Sequence, residues 1–192
     1  MKTQEAIESR SSIREFSNKV VKFDQMLEAI DAANHAPFAG NINNLKFIII
    51  ETQENKNIVA EFSQQFWVAD AQWIVLVCSE IKKLEDLYQN HAQSYSKQQV
   101  GAAIENMLLR ITDLGLASCW VGAFAEEGIK SRFKIPKEWT IEAIVPIAYP
   151  KNKIKKQTRK IDLEKKIFWE KWGIDKKPIK FPNKDPSTFY KI

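Results

Sequence analysis

Residues 101–122 read GAAIENMLLRITDLGLASCWVG. Counting from Gln98, apolar side chains recur at Val100, Ala103, Ile104, Met107, Leu108, Ile111 and Leu114, the three-and-four spacing that lines one face of a helix, with few charges between them. Gly115 follows immediately, a residue suited to the left-handed turn that stops helices. Ala117 to Val121 then reads as a short strand. A helix this apolar must be deeply buried, so the rest of the chain is organised around it. Its stripe is core or the seam with a second copy, and Glu105 and Asn106 carry no assigned catalytic role.

Working outward, a short helix is expected from Thr3 to about Ser9, and a second from about Asp24 to Ala33 with Met26, Leu27 and Ile30 on one face. Asn34 to Asn44, with Pro37, Gly40 and its asparagines, reads as an ordered polar loop. Phe47 to Glu51 and Trp73 to Ser79 have the apolar character of buried strands, separated by a helix near Asn55 to Phe62. Ile81 to Ser96 is polar and poorly periodic, helical in part, and no chemistry is placed there. A helix over Ala125 to Phe133 and a third long strand over Ile141 to Ala148 complete the set, with Pro146 marking an edge or a bulge. The mixture is α+β. No repeat or linker divides it, so residues 1–192 are expected to form one domain with a basic, aromatic C-terminal extension from about 151.

The 192-residue chain is 44% apolar and 28% charged, an ordinary globular balance. Its longest apolar runs, Phe47–Ile50 and Trp73–Cys78, are far short of the roughly 20 residues that span a bilayer. With no signal-type segment after Met1, a cytoplasmic protein without membrane association is expected. Cys78 and Cys119 are too few for a disulfide framework or a four-cysteine zinc site and read as buried free thiols. From Lys151 onward 14 lysines and arginines face five acids, a net +9 that leaves −4 for the first 150 residues. Such a tail could hold nucleic acid by counterion release, but Phe168, Trp169, Trp172, Phe181 and Phe189 give it too much apolar area for a purely electrostatic arm. Packing on a surface is the better reading, and no nucleic-acid partner is expected.

The six glycines, at 40, 101, 115, 122, 128 and 173, make neither G-x-G-x-x-G nor a phosphate-binding P-loop. With only His35 and His91 there is no H-E-x-x-H zinc pattern; His35 reads as a loop or helix-end residue and His91 as surface. If the chain is an enzyme, a bound cofactor carries the reaction and the protein supplies orientation and electrostatics. The positive signal is Ser9-Arg10-Ser11-Ser12-Ile13-Arg14-Glu15-Phe16, where two guanidiniums flank a pair of hydroxyls. Guanidinium forks and serine hydroxyls together suit phosphate oxygens. By itself the segment reads first as a solvated helix end with surface arginines.

Arg10 to Phe16 (RSSIREF) resembles the "RRS-x-R-x-F" signature of the nitroreductase family, and Ala32 to Phe47 (AANHAPFAGNINNLKF) resembles its "AA-x-x-AP-S-x-x-N-x-QPW-x-F" loop. Gly101 to Gly122 is similar to the family's long helix with its "LGLGSCWVG" end. Ile144 to Tyr149 resembles the strand ending in "IGYP", and Thr158-Arg159 with Phe168 to Trp172 resembles its basic residue and closing aromatic segment. The resemblance runs over nearly the whole chain, in order.

It implies an α+β fold with a central, mostly antiparallel sheet flanked by helices, an intertwined homodimer, and one FMN in each of two interfacial clefts. The implied reaction is ping-pong hydride transfer, from NADH or NADPH to flavin N5 and on to a small oxidised acceptor such as a nitroaromatic or quinone. Residue by residue, Arg10, Ser11, Ser12 and Arg14 fall in the segment that meets the FMN phosphate, ribityl chain and pyrimidine edge, and Arg159 matches a basic residue at the phosphate. Pro37, Phe38, Ala39 and Asn41 match the loop that reaches the flavin from the other subunit. Val121, Gly122 and Ala123 match the backbone turn near N5. The chain departs from the pattern at Asn43-Asn44-Leu45, in place of Gln-Pro-Trp, although Asn43 can still hold the flavin edge. It departs again at Ala39, in place of serine, at Trp67, where some members place a lysine, and at Gln64, in place of asparagine. These departures leave open a flavin-binding or sensing module without turnover, and reductive dehalogenation or flavin degradation on the same fold.

Overall fold

The computed structural model describes residues 1–152 and 166–174. Internal contacts divide the chain into two units, Met1–Gln157 and Thr158–Ile192. The first unit runs α1 (Thr3–Ser9), β1 (Phe16–Ser17), α2 (Phe23–Asn34), a 3-10 turn at Ala39–Asn41, β2 (Leu45–Ile50), α3 (Gln53–Ser63) and a 3-10 turn at Phe66–Asp70. It continues with β3 (Trp73–Ser79), α4 (Lys82–Tyr88), a 3-10 turn at Gln89–His91, α5 (Ala92–Asp113), β4 (Ala117–Ser118), α6 (Glu126–Phe133) and β5 (Thr140–Pro150). In the second unit the described residues form a tight turn in which the Trp169 N–H donates to the Ile174 carbonyl at 2.7 Å and the rings of Phe168 and Trp172 lie 4.8 Å apart.

The sheet has the order β1-β5-β3-β2, with β4 also paired to β5, and every named pairing is antiparallel. All seven residues of β3 are buried, so both of its faces are covered. The two-residue period of a strand sorts them. Trp73, Val75 and Val77 meet Met26, Ala29 and Ala33 of α2 and Val100, Ile104, Met107 and Ile111 of α5, while Ile74, Leu76 and Cys78 meet Val59 and Ala60 of α3 and Ile129 of α6. Burying a large aliphatic side chain contributes about 1.5–3 kcal/mol, so these two layers hold the fold. Gly128 lets α6 approach α3 closely, because a Cβ there would stand 2.2 Å from the Phe62 ring.

Four details differ from the sequence reading. Helix α5 starts at Ala92, well before Gln98, because its first turns bury Ala92, Ser96 and Gln99, two of them polar and silent in a hydrophobic count. In α2 the buried face is Met26, Ala29 and Ala33, and Leu27, about 100° round the helix from Met26, is 40% exposed. Strand β2 begins at Leu45. Finally, Pro146 lies within a strand paired on both sides, in register with Ile74, and the bulge falls at Val77/Cys78.

Pro146 has a different effect. The pairs Ala117–Ala148, Ser118–Ile147 and Val121–Ile144 share one register, which sets Cys119 opposite Pro146. Val121 and Ile144 exchange both backbone hydrogen bonds, at 3.0 and 2.9 Å, so Cys119 and Pro146 would be the next bonded pair. Proline has no N–H to give. The ladder therefore opens at Cys119–Trp120, β4 is shorter than its apolar run, and Trp120 is left 40% exposed.

Candidate functional site

The segment after α1 is pinned to the short strand β4: Ser12 bridges Ser118 in parallel, and the Ile13 N–H donates to the Ser118 carbonyl at 2.9 Å. Arg10 to Arg14 thereby run beside the strand that leads into the Val121–Ala123 turn. Ser11 Oγ donates to the Ser9 carbonyl at 3.3 Å, and Ser12 is exposed. Arg10 Nε lies 3.4 Å from Glu105 Oε1 on α5, a pairing that leaves the two terminal nitrogens of the guanidinium for another acceptor. The Arg14 guanidinium lies over the Trp67 ring, 5.8 Å from its centroid, and Phe16 packs on the same indole at 6.1 Å.

The turn itself is open. Val121 is buried, but Gly122 and Ala123 are exposed, and a Cβ on Gly122 would meet nothing within 4 Å. Just beyond, the Ala125 N–H donates to the Phe62 carbonyl at 2.8 Å, tying the turn to the end of α3. Gln64 caps that helix with a left-handed backbone at φ +52°, and its exposed side chain precedes the 3-10 turn bearing Trp67. Two α3 side chains hold that turn: Gln53 Nε2 donates to the Ala69 carbonyl at 3.1 Å and Lys56 Nζ to the Ala71 carbonyl at 2.8 Å. Burial pushes the Lys56 ammonium below its ordinary pKa, opposed by Asp70 and Glu51. Arg10–Arg14, Gln64–Trp67 and Val121–Ala123 thus form one connected wall.

The loop over Pro37 to Asn44 is built separately, on α5. Buried Gln99 accepts from the Ala39 N–H at 3.0 Å and donates to the Ile42 carbonyl at 3.2 Å and to Asn44 Oδ1 at 2.6 Å. Asn44 Nδ2 in turn donates to Ser96 Oγ at 2.9 Å. Gly40 and Asn41 both have left-handed backbones, and a Cβ on Gly40 would stand 2.8 Å from the Tyr88 hydroxyl, so glycine is required on two counts. Pro37, Phe38 and Ala39 line a cleft of about 350 Å³ with Tyr95, Gln98, Gln99 and Ala102. Asn41 is exposed. Asn43 is occupied within the loop, its Nδ2 donating to Asn34 Oδ1 at 3.3 Å and its Oδ1 accepting from the Leu45 N–H at 3.0 Å. Gln99 and Glu105 are six residues apart, about 9 Å along α5 and about 240° around it, so the loop and the arginine segment rest on different faces of the helix.

Of the residues singled out from sequence, Arg10, Ser12, Arg14, Gln64, Val121, Gly122 and Ala123 come together on the wall, and Pro37, Phe38 and Ala39 come together at the cleft. Arg159 lies outside the described residues. Sequence reading missed Ser96 and Gln99, Tyr95 at the cleft, and Glu105 as the partner of Arg10. The signal for the first two was a continuation of the helical stripe one turn N-terminal in polar residues. His35 caps α2 and is exposed near Asp31 at 3.5 Å, and His91 is exposed, stacked on Tyr95. Cys78 and Cys119 are free and buried. Among the described residues no group of three His, Cys, Asp or Glu could hold a metal ion, and no helix is long and apolar enough to cross a membrane. The wall's donor set, two guanidiniums, a hydroxyl and an open backbone turn, suits a ligand with a phosphate and an electron-accepting polar edge.

A family model described as "Nitroreductase family" matches residues 7–72 and 55–149. A protein of Methanothermobacter thermautotrophicus, provisionally named NADH dehydrogenase/NAD(P)H nitroreductase, is 28% identical over 179 residues, 90% of this chain and 88% of its own. The FMN reductase [NAD(P)H] of Bacillus subtilis is 27% identical over 120 residues, 60% of this chain and 46% of its own. The crystal structure of a nitroreductase family protein from Clostridium novyi NT superposes with a TM-score of 0.72 at 26% identity, covering 91% of this chain and 96% of that one. With the matches spanning the arginine segment, the loop, the central helix and the last strand, the chain belongs to the nitroreductase family.

Proposed function

We propose that this chain is an FMN-dependent oxidoreductase that takes its electrons from NADH or NADPH and passes them to a small oxidised acceptor such as a nitroaromatic or quinone. The observation that carries the reading is the wall itself, where the segment bearing Arg10, Ser12 and Arg14 is pinned to β4 through Ser12 and Ile13 and runs beside the open turn at Gly122. The donor chemistry fits FMN. Arg10, with Nε committed to Glu105, would present its terminal nitrogens to the phosphate, and Ser12 would add a hydroxyl. Arg14 would face the pyrimidine edge, where reduction accumulates negative charge. The chemistry that FMN supplies when bound is hydride exchange at N5. The exposed backbone at Gly122 and Ala123 leaves room for a flat ring system and offers amides to orient it.

The site is completed by a homodimer in this reading. The loop over Pro37 to Asn43 rests on a different face of α5 from the arginine segment of its own chain, which supports its serving the wall of a second copy, with Pro37, Phe38, Ala39 and Asn41 toward the ring system. Sedimentation showing a stable FMN-loaded monomer would count against that arrangement. The function is tested by purifying the protein and mixing it with NADH and NADPH in a stopped-flow instrument. A yellow protein whose flavin absorbance bleaches rapidly with at least one donor is expected. A protein that takes up no FMN overturns the proposal, and one that binds FMN without bleaching is a binding module.

A further inference from the structure

The Trp67 ring is half-buried, packed against the core layer beneath α3 and reached from outside by the N-terminal segment. Two residues of the N-terminal segment rest on it. Arg14 and Phe16, two apart in sequence, both meet the Trp67 indole, Arg14 with its guanidinium 5.8 Å from the centroid and Phe16 ring to ring at 6.1 Å and 48°. The platform beneath them is stiff. Trp67 lies in a 3-10 turn immediately before the buried Val68 and Ala69, and the carbonyls of Ala69 and Ala71 are held from α3 by Gln53 and the buried Lys56. Among the described residues no carboxylate pairs with Arg14, whereas Arg10 is paired with Glu105.

We infer that Trp67 is a positioning residue: its indole face holds the Arg14 guanidinium in place as an unneutralised, pre-oriented donor toward the reducible edge of the cofactor. The inference rests on the function proposed above and deepens it. A carboxylate could hold an arginine equally still, but it would cancel the charge. An aromatic face attracts the cation through its quadrupole and leaves both the net charge and the edge-on N–H donors available. An arginine is a costly group to immobilise, because its long side chain gives up many rotamers, so holding it before the ligand arrives raises affinity without adding a contact. Because the charge faces the edge that becomes negative on reduction, the benefit is larger for the reduced cofactor.

The test is a double-mutant cycle between Arg14→Ala and Trp67→Leu, read by FMN dissociation constants and by the two-electron midpoint potential with FMN saturating in both oxidation states. Leucine keeps apolar bulk under Phe16 and removes the aromatic face, and Trp67→Tyr restores that face. Trp67→Leu is expected to weaken binding of oxidised FMN about two- to threefold and of reduced FMN a further three- to tenfold. That second factor lowers the midpoint by ~15–30 mV at about 30 mV per tenfold. Trp67→Tyr should recover most of the shift, and Trp67→Leu should add nothing in the Arg14→Ala background, since its effect passes through the arginine. Additive effects of the two substitutions, or a midpoint that Trp67→Leu leaves unmoved while Arg14→Ala shifts it, overturn the inference and leave the FMN reading standing. A wild-type protein that binds no FMN overturns both.

Discussion

Gln99→Leu removes the clamp on the loop over Pro37 to Asn44 while keeping the volume of the side chain. The amide of Gln99 makes three hydrogen bonds from a position only 4% exposed: it accepts from the Ala39 N–H and donates to the Ile42 carbonyl and to Asn44 Oδ1. At about 0.5–1.5 kcal/mol each, their loss amounts to ~1.5–4.5 kcal/mol if no partner finds a substitute. Ala39 and Ile42 are half-buried and within reach of water, whereas Asn44 is 7% exposed and is left with a stranded oxygen. We therefore expect ~2–3 kcal/mol, which for a chain of this length lowers the melting midpoint by roughly 4–12 °C. The assay is calorimetry paired with amide hydrogen exchange at Asn41 and Ile42, whose N–H groups bond to the Phe38 and Ala39 carbonyls at 3.0 Å. Both amides should lose protection. Gln99→Glu should be no better than leucine, because a carboxylate keeps the acceptor for Ala39 but turns an anion toward two oxygens. A melting point within ~1 °C of wild type together with unchanged exchange would refute the claim that Gln99 fastens the loop.

Two further outcomes follow from other parts of the molecule. Arg10, its charge already faced by Glu105, should bind both oxidation states of FMN alike: Arg10→Ala weakens FMN binding by about 1.5–3 kcal/mol with little change in midpoint, whereas Arg14→Ala lowers the midpoint by roughly 20–45 mV, and equal shifts in a redox titration would show the roles misassigned. Burial, followed by the nearby Glu126 and Glu142, pushes the Cys78 thiol up to about 11, above its unfolded value. The thiol's contribution to stability is therefore complete below the unfolded pKa and is lost as pH rises through about 11. Folded protein at pH 8 should accordingly resist a thiol reagent that labels it at once in denaturant, and labelling of Cys78 within minutes under native conditions would contradict this.

The elements that sequence made legible are those in which one side chain type does the work. Trp73–Ser79 is apolar throughout because β3 is covered on both faces, and Val100 to Ile111 repeats at helical spacing because α5 buries one face along its length. The arginine segment stood out through its resemblance to the family pattern, since by itself it reads as a solvated helix end. What escaped notice was polar burial. Ser96 and Gln99 continue the buried face of α5 but serve the loop, so a count of apolar residues starts the helix nearly two turns late. Partnerships across the fold escaped notice too: nothing adjacent in sequence links Arg10 to Glu105 or Arg14 to Trp67, and the indole that seemed a departure from the family pattern turns out to carry the arginine.

The proline in β5 acts on its neighbour more than on itself. Pro146 stays fully in register with β3 on one side, while on the other its missing hydrogen releases two residues of the strand opposite. Replacing it with valine would offer Cys119 a donor, zip the ladder closed from Ser118 to Val121, and draw the Trp120 backbone flat against the sheet. The turn at Gly122 would then start from a strand with no slack in it. One ring in the middle of the sheet thus acts as a spacer, setting how far the adjoining chain stands off from the layer that supports it.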